Sequence, residues 1–265
     1  MHANPALAAR TPRNAIVTSA SRGIGRATAI RLAWEFDLVT VAAGDELALE
    51  LSASDIRTAG AAALPVVADL RTKGAAAELV ARTLEATGQI NAVVNIAGAV
   101  PQAGLLTMTD EQWNDGLTLK LHGARRLALA AWPHLVASRG VLLFMSGATA
   151  LMPKASLAFM STINAAILAL AKAFADQGLT DRVQVNSIQP GSVMTDRRLT
   201  IIARFAPKRG LQIAEAMDVY AQESGIASYG RQEGIAELVA FLLSPGARWM
   251  TGSPLRMDGG GTRSI

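Results

Sequence analysis

Seven short β-rich apolar runs, separated by longer Ala- and Leu-rich segments of helical period, constrain this chain more than any other feature of its sequence. The runs are Ala15 to Thr18, Leu38 to Ala42, Ala63 to Ala68, Ala92 to Asn95, Val141 to Met145, Val183 to Ile188 and Leu255 to Met257. Such strands alternating with helical segments form a parallel sheet, because parallel neighbours need a long crossover rather than a tight hairpin. The expected fold class is α/β, a doubly wound seven-stranded parallel sheet in a single domain over residues 14–265, after a flexible tail over 1–13. With 265 residues, 51% of them hydrophobic, the chain can bury an ordinary core, which excludes disordered and fibrous classes.

The absence of cysteine excludes a disulfide scaffold, a thiolate metal site and a cysteine nucleophile, and no metal is expected. Lys plus Arg (25) exceeds Asp plus Glu (21) by 4. The basic pairs Arg125-Arg126, Arg197-Arg198 and Lys208-Arg209 are scattered along the chain, unlike the concentrated patch of a nucleic-acid binder, so no nucleic-acid partner is expected. The longest apolar stretches read as interrupted short of the roughly 18 residues of a membrane span, and the N-terminus lacks a signal-peptide apolar core. The expectation is a cytoplasmic protein without a membrane partner.

The most legible helix runs from Asp110 to Ser138, where Thr109 and Gln112 can form a capping box and apolar residues recur at helical spacing. Its apolar stripe passes through Trp113, Leu117, Ala124 and Ala128, with Asp115, His122 and Arg126 opposite. Lys120 falls inside the stripe, which is an unusual place for a charge. A further segment of helical composition, from Ser192 to about Ser228, follows the sixth strand at the carboxyl end of the sheet and is the candidate substrate lid.

Directly after the first strand comes VTSASRGIGRA, a glycine turn opening a helix, which aims backbone N–H groups at phosphate. With VVNIAG after the fourth strand, VQVNSIQPGSVMT after the sixth and MDGG near the C-terminus, the chain resembles the short-chain dehydrogenase/reductase family over residues 14 to 261. That resemblance implies a Rossmann-type fold binding NAD(P). It puts Thr18, Ser21, Gly23, Ile24 and Gly25 around the pyrophosphate, Asp69 and Leu70 beside adenine, and Asn95, Ala97 and Gly98 along the adenosine ribose. Pro190, Gly191, Val193 and Thr195 match the segment holding the nicotinamide carboxamide. Ser19 replaces the family's first glycine. At the end of the second strand, Ala43 and Gly44 stand where the family carries its NAD-selecting acid and NADP-selecting base. Arg22 can reach a 2′-phosphate and favours NADP(H) slightly over NAD(H).

The resemblance also implies hydride transfer by a tetrad of Asn, Ser, Tyr and Lys, and all four are replaced. Lys120 stands at the asparagine, Gly147 at the serine with Ser146 just before it, Met160 at the tyrosine and Asn164 at the lysine. A frame shifted by one residue gives Phe159 and Ile163, which are no more competent. A thioether and a glycine donate no proton, and a neutral amide cannot act as an ammonium. Lys120 and Asn164 form a reciprocal exchange of charge and amide. Tyr220 and Tyr229 read mainly as lid packing, and His122 and His134 as solvated. Met152, Phe159, Met160, Met194 and Met217 suggest an apolar crevice or plain packing.

Three readings remain open: an oxidoreductase of a small carbonyl or alcohol with a replaced acid, a cofactor-binding subunit without turnover, and a lyase or isomerase on the same scaffold. The resemblance further implies a homo-oligomer, a tetramer, built on the helices from Asp110 and Ser156 and the C-terminal strand.

Overall fold

Burial on both faces explains why the central strands read as unbroken apolar runs. β1 (Asn14–Thr18) and β5 (Val141–Met145) are buried at every position, as strands sandwiched between two helical layers must be. The structure, a computed structural model, describes residues 12–98 and 104–263. All but the last two residues of the expected tail therefore lie outside the described residues. β2 (Leu38–Ala43), β3 (Ala62–Val67), β4 (Ala92–Asn95), β6 (Gln184–Pro190) and β9 (Pro254–Met257) complete a seven-stranded sheet of order β3-β2-β1-β4-β5-β6-β9, with every pairing parallel. The order reverses between β1 and β4, where Ala15 pairs with Val39 on one side and Ala92 on the other. A crevice opens at such a reversal, outside the carboxyl ends of the strands.

Alternate strand residues feed two cores. Ala15 and Val17 pack with α1 (Gly23–Leu32), α2 (Glu46–Thr58) and α9 (Gln232–Leu242) through Leu32, Leu49, Ile56 and Val239. Ile16, Leu142 and Phe144 face α3 (Ala75–Thr87), α5 (Ala124–Ser138) and α6 (Ala158–Asp181) through Leu79, Leu127, Leu135 and Ile167.

Three expectations need adjustment. The helix expected over Asp110 to Ser138 follows one path but contains a π-helical turn, Leu117–Gly123, between α4 (Asp110–Gly116) and α5. Its capping box forms as expected, with Thr109 Oγ1 accepting from Gln112 N at 3.4 Å and Gln112 Oε1 accepting from Thr109 N at 3.1 Å. Lys120 lies within the π turn, and such turns occur frequently at functional sites. β6 runs two residues beyond the expected Ile188, carrying Gln189 and Pro190 to the crevice. Finally, the helical segment Ala155–Asp181 is long and apolar enough to cross a membrane by length and composition, contrary to the expectation that no stretch reaches that length. It lies against the sheet, burying Ile163, Ile167, Ala171 and Ala175.

The segment after β6 is helical as its composition predicts. α7 (Asp196–Phe205) and α8 (Ile213–Glu223) pack on each other around Ile202, Ala206 and Ala216, a small cluster separate from the two main cores. A short parallel pair, β7 (Val193–Met194) with β8 (Gly230–Arg231), ties down the two ends of this excursion.

Candidate active site at the strand crevice

The glycine turn is shaped by one left-handed residue and one close approach. Ser19 adopts a left-handed backbone with φ of 55°, so the serine keeps the turn that a glycine would make without strain. A Cβ on Gly25 would lie 2.0 Å from the Ser19 carbonyl oxygen, which only a glycine permits. At the start of α1, Arg22 is extended and caps no N–H with its side chain, leaving the first helical N–H groups turned to the crevice as an anion cradle. Thr195 overhangs it, its Cγ2 lying 3.6 Å from where a Gly23 Cβ would be. Ser19→Gly is expected to raise stability by up to about 1 kcal/mol by removing the left-handed strain, a gain that urea denaturation would resolve.

The other expected cofactor residues lie at or after the carboxyl ends of their strands. Thr18 Oγ1 accepts from Ile96 N at 2.9 Å and Ala97 N at 3.0 Å, clamping the ends of β1 and β4 together. Asn95 is buried with its Nδ2 unpaired among the described residues. Asp69 is held by Arg71, which also reaches Asp115 at 2.6 Å, and Leu70 is buried against Gly123 at the end of the π turn. Gly44 is open, with nothing within 4 Å of an added Cβ, and the following Asp45 is spent on capping α2. Gly191 follows Pro190 and donates its N–H to the Met257 carbonyl. Val193 is buried in β7, and Thr195 caps α7 by accepting from Arg198 N at 3.3 Å. The open cradle and these strand-end contacts fit a dinucleotide.

Of the five residues expected at the catalytic positions, Lys120, Ser146, Gly147 and Asn164 lie against one another. The Lys120 side chain, 7% exposed, runs over Gly98, whose Cβ would meet Lys120 Cδ at 2.9 Å. Its Nζ donates to Asn164 Oδ1 at 2.5 Å and to the Ser146 carbonyl at 3.4 Å. Asn164 Nδ2 donates to Thr149 Oγ1 at 2.8 Å, which fixes the amide with its oxygen toward the lysine. Ser146 Oγ donates to the Asn164 carbonyl at 2.8 Å and so faces the helix backbone. Gly147 permits the arrangement, since a Cβ there would lie 2.6 Å from Asn164 Nδ2. Met160 is half-buried, one residue after Phe159, which packs edge-on against Trp113 with ring centroids 4.3 Å apart. Phe159 and Ile163 are buried in that apolar cluster.

Burial, and then the charge of Arg197, bring the Lys120 ammonium down from the usual lysine range to about 8. Arg197 is itself lowered by burial and by the neighbouring charges of Arg198 and Arg22. Arg197 and Arg198 lie in the first turn of α7, and Arg22 at the start of α1. The tyrosines do other work: Tyr229 Oη donates to the Met217 carbonyl at 2.9 Å, and Tyr220 packs against Phe205. Met194 and Met217 belong to the same cluster, so they pack the excursion. His122 is exposed and His134 half-buried.

Thr149 is the site residue that sequence reasoning missed. Thr149 had no signal beyond its place just after the strand.

Comparison with known proteins agrees with this architecture. The family described as Enoyl-(Acyl carrier protein) reductase matches residues 19–262. The short-chain reductase protein NovJ of Streptomyces niveus is 32% identical, over 93% of this chain and 92% of its own. The 3-oxoacyl-[acyl-carrier-protein] reductase FabG of Staphylococcus aureus is 25% identical, over 94% and 97%. Among solved structures, a single-residue variant of the actinorhodin polyketide ketoreductase with NADPH superposes with a TM-score of 0.90 at 26% identity, covering 96% of this chain and 98% of its own. A parallel sheet reversing at β1 and β4, a glycine turn at that reversal and matches along nearly the whole length lead to one conclusion: the chain belongs to the short-chain dehydrogenase/reductase family of oxidoreductases.

Proposed function

We propose that the protein is an NADP(H)-dependent oxidoreductase of a small carbonyl compound or alcohol in which Lys120 takes over proton transfer from the family's tyrosine. The observation that carries the reading is the Lys120–Asn164 contact at 2.5 Å, because it holds a buried cation at the centre of the replaced tetrad. A bound NADPH supplies the hydride. Lys120, protonated at neutral pH with its affinity brought down to about 8, donates a proton to the substrate oxygen and is reprotonated from solvent. Asn164 Oδ1 and the Ser146 carbonyl orient the amine throughout. In the oxidative direction the neutral amine accepts the alcohol proton. Gly23, Ile24 and Gly25 would hold the pyrophosphate, with Ser21, Thr18 and Thr195 beside it. Arg22 favours a 2′-phosphate, and the solved ketoreductase with NADPH supports the same preference. α7 and α8 would serve as the lid over the substrate.

The test is calorimetric titration with NADPH and NADH, followed by NADPH oxidation with carbonyl compounds. Binding with NADPH favoured, and lysine-dependent turnover, are expected; no binding of either dinucleotide at millimolar concentration would overturn the reading. A second reading, a cofactor-binding subunit without turnover beside an active paralogue, is favoured by Gly147 and Met160, which offer no proton. Binding with no turnover of any carbonyl would select it. The exposed apolar positions Leu129 and Leu179 on α5 and α6 support a homo-oligomer, a tetramer, whose mass light scattering reads directly.

A further inference from the structure

Four polar side chains meet at Asn164, and their hydrogens are not equally spent. Lys120 Nζ donates to Asn164 Oδ1 at 2.5 Å and to the Ser146 carbonyl at 3.4 Å, which leaves one of the three ammonium hydrogens without a partner among the described residues. Ser146 Oγ gives its proton to the Asn164 carbonyl at 2.8 Å, and Gly147 has no side chain to offer. Thr149 differs from both. It lies half-buried in the single 3₁₀ turn Ala148–Ala150, which follows β5 at the carboxyl end of the sheet. Its Oγ1 accepts from Asn164 Nδ2 at 2.8 Å, and its own proton meets no acceptor among the described residues. An amide that donates to a hydroxyl polarises it, so the O–H becomes the stronger donor. Asn164 carries its oxygen and nitrogen on one carbon, so Lys120 Nζ and Thr149 Oγ1 stand on either side of one planar group. One unspent N–H and one unspent O–H match the two lone pairs of a single carbonyl oxygen. Hydride transfer to a carbonyl carbon builds negative charge on that oxygen, where a fixed donor has its largest effect.

We propose that Thr149 is a further catalytic residue, its hydroxyl donating the second hydrogen bond to the substrate carbonyl oxygen beside Lys120. This inference rests on the oxidoreductase reading and adds a residue to it. In reduction the hydride goes to the carbonyl carbon and the Lys120 proton to its oxygen, giving the alcohol and the oxidised cofactor. The Thr149 hydroxyl keeps its own proton throughout. Asn164 holds both donors in place, its oxygen on the lysine and its nitrogen on the threonine. Turned over, the amide would face the ammonium with its own N–H groups and lose both contacts.

The experiment follows NADPH oxidation with ethyl acetoacetate and cyclohexanone by the full chain, in the wild type, Thr149→Val and Thr149→Ser, at pH values below and above the Lys120 titration near 8. Thr149→Val is expected to lower kcat about 10²–10³-fold, the scale of one lost preorganised donor, while NADPH affinity and the position of the pH break stay where they are. Thr149→Ser, which keeps the hydroxyl, is expected to recover most of the loss. An unchanged rate in Thr149→Val would overturn the proposal, as would a Thr149→Ser variant no faster than Thr149→Val. So would a pH break displaced downward in Thr149→Val, because the amide would then have turned its N–H groups to the ammonium and Thr149 would be a positioning residue only. Calorimetry of both carbonyls on the NADP⁺-loaded protein separates the hydroxyl contact from the oxidoreductase. Binding without turnover, weakened in Thr149→Val, upholds the contact and overturns the oxidoreductase, whereas turnover that Thr149→Val leaves unchanged does the reverse. Neither binding nor turnover of either carbonyl overturns both.

Discussion

Replacing Lys120 with methionine is expected to lower carbonyl reduction about 10²–10⁴-fold, the usual worth of a general acid. NADPH affinity should not change, because Lys120 sits at the Asn164 end of the crevice and the glycine turn is built without it. Stability should change little. Burial disfavours the ammonium in the folded state, so methionine relieves that penalty below pH 8. Against this gain, Asn164 Oδ1 loses its donor, which costs about 1–3 kcal/mol when a buried acceptor is left unmet. Steady-state kinetics, NADPH titration and thermal denaturation of the one variant read all three quantities. Unchanged turnover in Lys120→Met would remove the lysine from the mechanism.

The second large effect is expected at the opposite end of the crevice. Gly25→Ala places a methyl group 2.0 Å from the Ser19 carbonyl oxygen and 2.6 Å from its carbon. Both are backbone atoms of a turn that is itself held by Ala20 N donating to the Ala42 carbonyl, so the turn has to open. Overpacking of this kind costs about 1–3 kcal/mol or more, and it displaces the N–H groups of the cradle. NADPH affinity is expected to fall at least about a hundredfold, the loss of two or more charge-assisted hydrogen bonds. Gly246→Ala, where an added methyl meets only Ser244 Oγ at 3.6 Å, should leave both stability and affinity near wild type. Comparing the two variants by calorimetry separates a shaped cradle from a general loss of glycine.

Much of this was legible in the sequence for a physical reason. Strands buried on both faces must be apolar throughout, so β1, β4 and β5 were recognisable from composition and spacing. Lys120 stood out because the helical period put a charge inside an apolar stripe, and the resemblance led to the expectation that it lies near Asn164. The structure brings the two side chains into hydrogen-bond contact. The π turn was not legible, because a shift in backbone hydrogen bonding from one carbonyl to the next leaves the apolar pattern of LTLKLHG almost unchanged. The membrane-length apolar stretch in α6 is masked in the sequence by Lys172 and Asp176, which fall late in the helix and leave its sheet-facing positions apolar.

If Lys120 supplies the proton, the pH dependence of kcat for reduction carries its signature. The Lys120 ammonium titrates near 8, and the protonated form is the proton donor. Reduction should therefore be constant below that pH and fall about tenfold per unit above it, while oxidation of the alcohol should rise through the same range. In Lys120→Met the residual rate should be independent of pH across this interval. A wild-type profile that stays flat from about pH 6 to about pH 10, two units either side of that titration, or a break near 8 that survives in Lys120→Met, would contradict the account.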